Sequence, residues 1–337
     1  MKHYSVMLSE SIEGLNIKED GIYVDATLGY GGHSSEILKK LTKGHLYSFD
    51  QDQEAINDSK KRLLEIGNNF TIIYSNFVNM KEKLKEQGIT KVDGILFDLG
   101  LSSPQIDNKD RGFTFMTDAP LDMRMDTSKE LTAAKIVNTY SIEELANIFF
   151  IYGEEKMSKI IAKKIVSERL NREIKTTKEL VKIIESAVGA KYFNKNHPER
   201  QIFQAIRIEV NGELDVLKKV LPDAISLLNK GGRISVITFH SLEDRIVKQI
   251  FKKDSDIDDL VKGLPVIPKE FQPKLKLINK KPILPSEKEL NENSRSRSAK
   301  LRIVERVWWT WQTRLLEKRK NWEKYSVAKE QFTLHLL

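Results

Sequence analysis

Four short runs of β-forming residues alternate with amphipathic stretches across the first hundred residues, and this order constrains the fold more than any other feature. The runs "IYVDATL" (22–28), "HLYSFD" (45–50), "FTIIYS" (70–75) and "VDGILFDLG" (92–100) are rich in Ile, Val, Phe and Tyr, as strands require. Between them, "SSEILKKL", "DQEAINDSKKRLLEIG" and "NMKEKLKEQG" carry apolar residues at helical spacing, with a glycine near the ends of the second and third. A β-α-β-α-β-α-β order predicts the α/β class, with a parallel sheet and helices on both faces.

The pattern then breaks. Residues 113–211 contain only two glycines, Gly153 and Gly189, and read as successive helices. Ser141 with Glu144 and Thr176 with Glu179 have capping-box spacing at two of the starts. The α/β pattern returns at "DAISLLNKGGRISVITFHS", read as a helix, a Gly-Gly stop and a strand over 233–239, and "AKLRIVER" (299–306) reads as a final strand. At 337 residues the chain exceeds what one core comfortably serves. The expected division is a split core (1–112 and 205–306), a helical domain inserted after the fourth strand (113–204) and a basic extension (307–337). That extension holds all four tryptophans, Trp308, Trp309, Trp311 and Trp322, and is expected to be an appended helix or tail.

Composition narrows the chemistry. There is no cysteine, which excludes disulfides, thiolate metal sites and a Cys nucleophile and suits a reducing cytosol. The N-terminus lacks the apolar core of a secretory signal, and the run around residues 148–152 is too short to span a bilayer, so the expectation is a cytoplasmic protein with no membrane partner. Net charge is +8, but its distribution says more: residues 262–302 hold eleven Lys/Arg against four Glu, with five of the nine prolines. A basic, proline-rich stretch beside a folded core suits a polyanion.

The turn "DATLGYGGHSS" (25–35) sits where a cofactor lies in such sheets, after the first strand and before a helix. Asp50 ends the second strand, twenty-one residues beyond Gly29, where a carboxylate accepts from ribose hydroxyls in dehydrogenases and S-adenosylmethionine (SAM) enzymes alike. Two features separate these. The third glycine of the dinucleotide fingerprint is replaced by Ser34, and Asp25 is an acid four residues before Gly29, suited to a cationic ligand and repellent to pyrophosphate. A tight turn without a ligand is the competing explanation, weakened because both acids fall at strand ends. "FDLGLSSPQID" (97–107) adds Asp98 at the end of a strand adjacent to the first, at the switch point of the sheet. The residues alone point to a methyltransferase of unknown acceptor.

The long motifs "DATLGYGGHS", "FDLGLSSPQ", "RGFTFMTDAPLDMRMD" (111–126), "FQAIRIEVNGEL" (203–214), "GGRISVITFHSLEDRIVK" (231–248) and "NSRSRSAKLRIVER" (293–306) together resemble the bacterial MraW or RsmH family, in the family's order. The resemblance implies a Rossmann-like class I SAM methyltransferase core with a helical insertion, acting on cytidine N4 in the decoding region of 16S ribosomal RNA, within the small subunit. It implies SAM contacts at Gly31, Gly32, His33, Asp50, Phe77, Asp98 and Gln105, with Asp98 also catalytic. The extension after Arg306 departs from the family pattern.

On the substrate side, "RGFTF" (111–115) is rejected as an RNA-recognition signature. Its loop is expected to cover the site, with Arg111 and Arg124 available to phosphate and Phe113 or Phe115 to a base. The alternative is that Asp122, Arg124 and Asp126 pair among themselves. His240 falls at the end of the fifth strand, and Arg295 and Arg297 lie in the basic segment; all three are expected to meet RNA. No His, Asp or Glu spacing suggests a metal site. The competing functions are methyl transfer to another RNA or a small amine, a nicotinamide-dependent oxidoreductase, and an RNA-binding protein with a vestigial pocket.

Overall fold

The computed structural model describes residues 5–101, 108–257, 259–262, 268 and 271–307. Gln105 and all four tryptophans lie outside them. The first half follows the expected alternation: β1 (Ile22–Asp25), α2 (Gly32–Lys40), β2 (His45–Asp50), α3 (Gln53–Leu64), β3 (Phe70–Tyr74), α4 (Met80–Glu86) and β4 (Val92–Asp98). Ahead of them runs α1 (Leu8–Leu15), which the strand-based reading passed over.

The sheet has seven strands in the order β3-β2-β1-β4-β5-β7-β6. The first five are parallel, and β7 (Lys300–Arg306) enters antiparallel between β5 (Leu228–Thr238) and β6 (Leu275–Leu277). The central strands are covered on both sides, which is why β4 reads as a near-continuous apolar run rather than an alternating one. Gly94 has no side chain because a Cβ there would strike the ring of Tyr23 on the neighbouring strand.

The Gly-Gly pair is not a helix stop. β5 begins at Leu228, directly after a helix over Glu213–Leu227, and passes through Gly231 and Gly232, where its register against β4 shifts between Val92 and Gly94. Glycine inside a strand marks such a bulge, and Gly231 supplies the positive φ of +77°. β6 escaped the sequence because it is three residues long and pairs only with β7.

Between β4 and β5 lie helices α5 (Ala133–Thr139), α6 (Ile142–Ile151), α7 (Ser158–Arg169), α8 (Thr177–Val188), α9 (Ala190–Asn196), α10 (Pro198–Asn211) and α11 (Glu213–Leu227). Both expected capping boxes are formed, at Ser141 with Glu144 and at Thr176 with Glu179. Residues of α5 to α10 bury their own apolar core around Phe149, Ile161, Leu180 and Ile206, separate from the cores flanking the sheet. α10 runs through position 205, its Ala205, Ile206 and Val210 still in that second core. α11 instead packs Leu217, Leu221 and Ile225 against the sheet. After β5 come α12 (Ser241–Ser255) and the short α13 (Glu287–Glu292). Among the described residues no helix is long and apolar enough to cross a membrane.

Candidate active site

The chain reverses its direction of strand addition between β1 and β4, and a cleft of about 360 Å³ opens at their carboxyl ends. The loop after β1 is stitched to both neighbours: Ala26 N–H donates to Leu96 O on β4, and Leu28 N–H to Phe49 O on β2. Gly29 (φ +49°) and Gly31 (φ +73°) let the chain turn, and Gly31 caps α2. At Gly32 a Cβ would meet the Ser5 hydroxyl, which would have to turn aside.

Ser34 explains itself here. Its hydroxyl donates to Asp25 Oδ2 at 2.7 Å and lies 2.9 Å from Ser48 Oγ, all three groups fully buried. Asp25 Oδ1 takes the Thr27 N–H. Asp25 therefore locks β1 to α2 rather than facing a ligand, and it does not line the cleft. The expectation that its charge would meet a cationic ligand is corrected on that geometry. Burial pushes its carboxyl up, and His33 and Ser34 oppose the shift.

Asp50 does line the cleft. Its Oδ2 accepts from Gly29 N–H at 2.8 Å and its Oδ1 from Asp52 N–H at 2.9 Å. Burial lifts its carboxyl to about 6 against these two bonds. Phe77 follows β3 and stands edge-on to Phe97, ring centroids 5.7 Å apart, as an apolar wall.

Asp98 occupies the end of β4, where its own N–H is held by Thr27 Oγ1 at 2.8 Å. Its Oδ2 lies 3.5 Å from His33 Nδ1, and its Oδ1 is buried with no hydrogen-bond partner among the described residues. Burial raises this carboxyl to about 6, His33 pulls it down and Asp25 pushes it up. A buried acceptor left unpaired costs folding free energy, on the order of 1–3 kcal/mol, and at a cleft wall it suits a ligand N–H. The ring of His33 is itself buried, with Nε2 against Val6 O at 3.1 Å.

The other expected contacts divide. Arg295 lines the same cleft, as do Gly32 and His33, whereas Gly31 does not. Arg297 and His240 line a second cavity, which shares Phe239 in its lining. Neither Arg111 nor Arg124 is offered to the cleft. Arg124 donates from Nε and Nη2 to the two oxygens of Asp122 and from Nη1 to Thr127 O and Lys129 O. Arg111 donates to Asp52 and to the carbonyls of Arg124 and Met125. Both arginines hold the loop in shape, so the internal pairing prevails over phosphate contact. Phe113 and Phe115 pack in or against the helical core, Phe115 edge-on to Phe203.

One wall residue went unread in the sequence. Arg207 reaches the cleft from α10 and is pinned by Glu213, Nε to Oε1 and Nη2 to Oε2, both at 2.9 Å. The pair spans a helix break at Gly212, so no helical spacing announces it. The fold also gathers Glu213, His240 and Glu243 within ligand distance of one another. Arg207 already supplies positive charge there, and Glu243 spends Oε2 on the N–H groups of Phe239 and His240.

Sheet order, glycine turn, acid after β2 and unpaired acid after β4 together define a Rossmann-like methyltransferase. Comparison with known proteins agrees and sharpens the class. The profile of the MraW methylase family matches residues 1–307, and the chain belongs to that family. S-adenosylmethionine is the cofactor of such a methylase. Solved structures similar to the chain include one from Clostridium thermocellum assigned as an rRNA methylase, at 13% identity and TM-score 0.43, covering 90% of this chain and 100% of that one. An rRNA methylase from Streptococcus thermophilus has 12% identity and TM-score 0.39, covering 91% and 99%. A Streptococcus mutans protein assigned as a methyltransferase, solved with SAH, has 12% identity and TM-score 0.41, covering 90% and 100%.

Proposed function

We propose that the protein transfers a methyl group from SAM to the exocyclic N4 of a cytidine in the decoding region of 16S ribosomal RNA, with the small ribosomal subunit as its partner. The carrying observation is the unpaired Oδ1 of Asp98 on the cleft wall. Family membership supports methyl transfer, the family motifs support this acceptor, and the basic segment supports RNA over a small amine.

SAM supplies an electrophilic methyl on a sulfonium. The chain's part is placement. Asp50 accepts from the ribose, Phe77 walls the adenine, and the main chain at Gly29 and Gly32 lets the cofactor lie close, with Gly31 setting the turn between them. Gln105, outside the described residues, joins them on the family pattern. Cytosine's amino lone pair is delocalised into its ring, so it is a weak nucleophile at rest. Asp98 accepts an N–H of that amine, turns the lone pair toward the methyl and takes the departing proton. Alignment of this kind is worth effective molarities up to roughly 10⁵ M or more. The base must be unstacked to enter, which a single-stranded or looped segment permits. Arg295 and Arg297 hold phosphate, and His240 meets the RNA beside the cleft.

Mass mapping of methylated nucleosides in ribosomal RNA, with and without this protein in the cell, tests the proposal. Loss of one N4-methylcytidine in 16S RNA is the expected result. A change confined to another RNA or to a small amine moves the acceptor to the competing class.

A further inference from the structure

A second cavity of about 380 Å³ adjoins the cofactor cleft, and Phe239 lines both. Its position depends on Gly100, where φ is +130° and a Cβ would meet the Phe239 ring at 3.0 Å. Leu284, Pro285 and Leu290 form an apolar wall, with the two leucines 60% and 37% exposed. His240 adds a ring whose side chain is only 8% exposed. The ring is held by Glu243, with Nε2 3.1 Å from Glu243 Oε1 at the start of α12. Arg297 and Lys300 bring positive charge to the lining.

The 3₁₀ turn Ser294–Ser298 joins the two cavities. Arg295 lines the cofactor cleft and Arg297 the second cavity. Ser296 is buried between them, its hydroxyl donating to Asn293 O at 2.8 Å. Alternate arginines of one turn thus serve two chambers that share Phe239 in their linings.

We propose that the second cavity seats the base of the nucleotide next to the target cytidine, with the connecting phosphate crossing at the Ser294–Ser298 turn. This rests on the RNA reading above. Sites for single-stranded nucleic acid combine a basic path with flat apolar surfaces on which bases stack. The cavity falls within the range of about 300–1,000 Å³ typical of ligand sites. His240 adds a ring face to the lining, its Nε2 committed to Glu243. A small amine acceptor would occupy one chamber and give no reason for a second one joined by arginines.

The test uses a fluorescent short RNA holding one cytidine, titrated by anisotropy into the full chain loaded with S-adenosylhomocysteine. Removing the base at one neighbour of the cytidine should weaken binding about five-fold or more, the lower end of what one stacked base supplies. Removing a base several nucleotides away should do less. Leu290→Trp and, independently, Leu284→Trp fill the cavity. Each should abolish the neighbour effect while calorimetry shows unchanged affinity for S-adenosylhomocysteine. A neighbour base worth no more than a distant one overturns the proposal, as does an effect that survives in both tryptophan variants. If the wild-type chain binds no RNA at all, the RNA reading itself fails and the proposal goes with it.

Discussion

Nδ1 of His33 lies 3.5 Å from Oδ2 of Asp98, while Nε2 of the same ring meets the main-chain carbonyl of Val6 at 3.1 Å. A carbonyl only accepts, so Nε2 carries a proton and Nδ1 is the nitrogen turned toward the carboxylate. One buried ring thereby ties the N-terminal segment to the acid at the end of β4. His33 lines the cofactor cleft, and its ring also braces Asp98.

The first prediction follows from the direction of that coupling. His33 pulls the Asp98 carboxyl down from where burial would leave it. His33→Asn should therefore move the acid limb of the kcat/KM profile to higher pH. Methyl transfer measured from pH 5 to pH 8 in both proteins checks this, and a limb that stays in place or moves down contradicts it.

Stability should run the other way with pH. Asp50 and Asp98 are both raised to about 6 in the fold, above the ordinary carboxylate value. Between that value and about 6 the folded state binds more protons than the unfolded one, so these groups add stability as pH falls through 6 and withdraw it as pH rises. Thermal melts should show Asp98→Asn gaining more at pH 7 than at pH 5. An equal gain at both is the opposing result.

Gly100→Ala should cost about 1–3 kcal/mol, because it imposes a strained φ and presses on Phe239. Gly88→Ala is the comparison, since φ is +76° there with open space around it, and its loss should be smaller. Denaturant titrations of the two variants make the check. Equal losses would remove the Phe239 contact from the explanation.

Charge reversal at Arg295 and Arg297 should weaken RNA binding and flatten its salt dependence, by about 0.7 log units per lost single-strand phosphate contact. The slope of log affinity against log salt is the measurement. An unchanged slope places the turn away from the RNA.

The strands and helices from β1 to Asp98 were legible because each carries its own periodicity and turn chemistry. Asp50 and Asp98 were legible for the same reason: strand ends are local features, and the switch point collects them. What could not be read is what depends on distant partners. Ser34 looked like a missing glycine until Asp25 and Ser48 stood beside it. Arg124 stood between phosphate and pairing with Asp122, and only the fold shows Asp122 and two carbonyls absorbing its donors. The Gly-Gly pair read as a stop because a bulge is defined by the neighbouring strand, not by the glycines. Arg207 was hidden in a helix, and only the fold brings it to the cleft.

The most direct test of the account is Asp98→Ala returned to cells that lack the wild-type protein, read by mass mapping of cytidine methylation in 16S ribosomal RNA and by SAM calorimetry on the purified variant. Loss of a positioned proton acceptor costs typically 10²–10⁴-fold, so the N4-methyl mark should be absent while the variant stays folded. Full methylation by Asp98→Ala would contradict the central role assigned to that carboxylate.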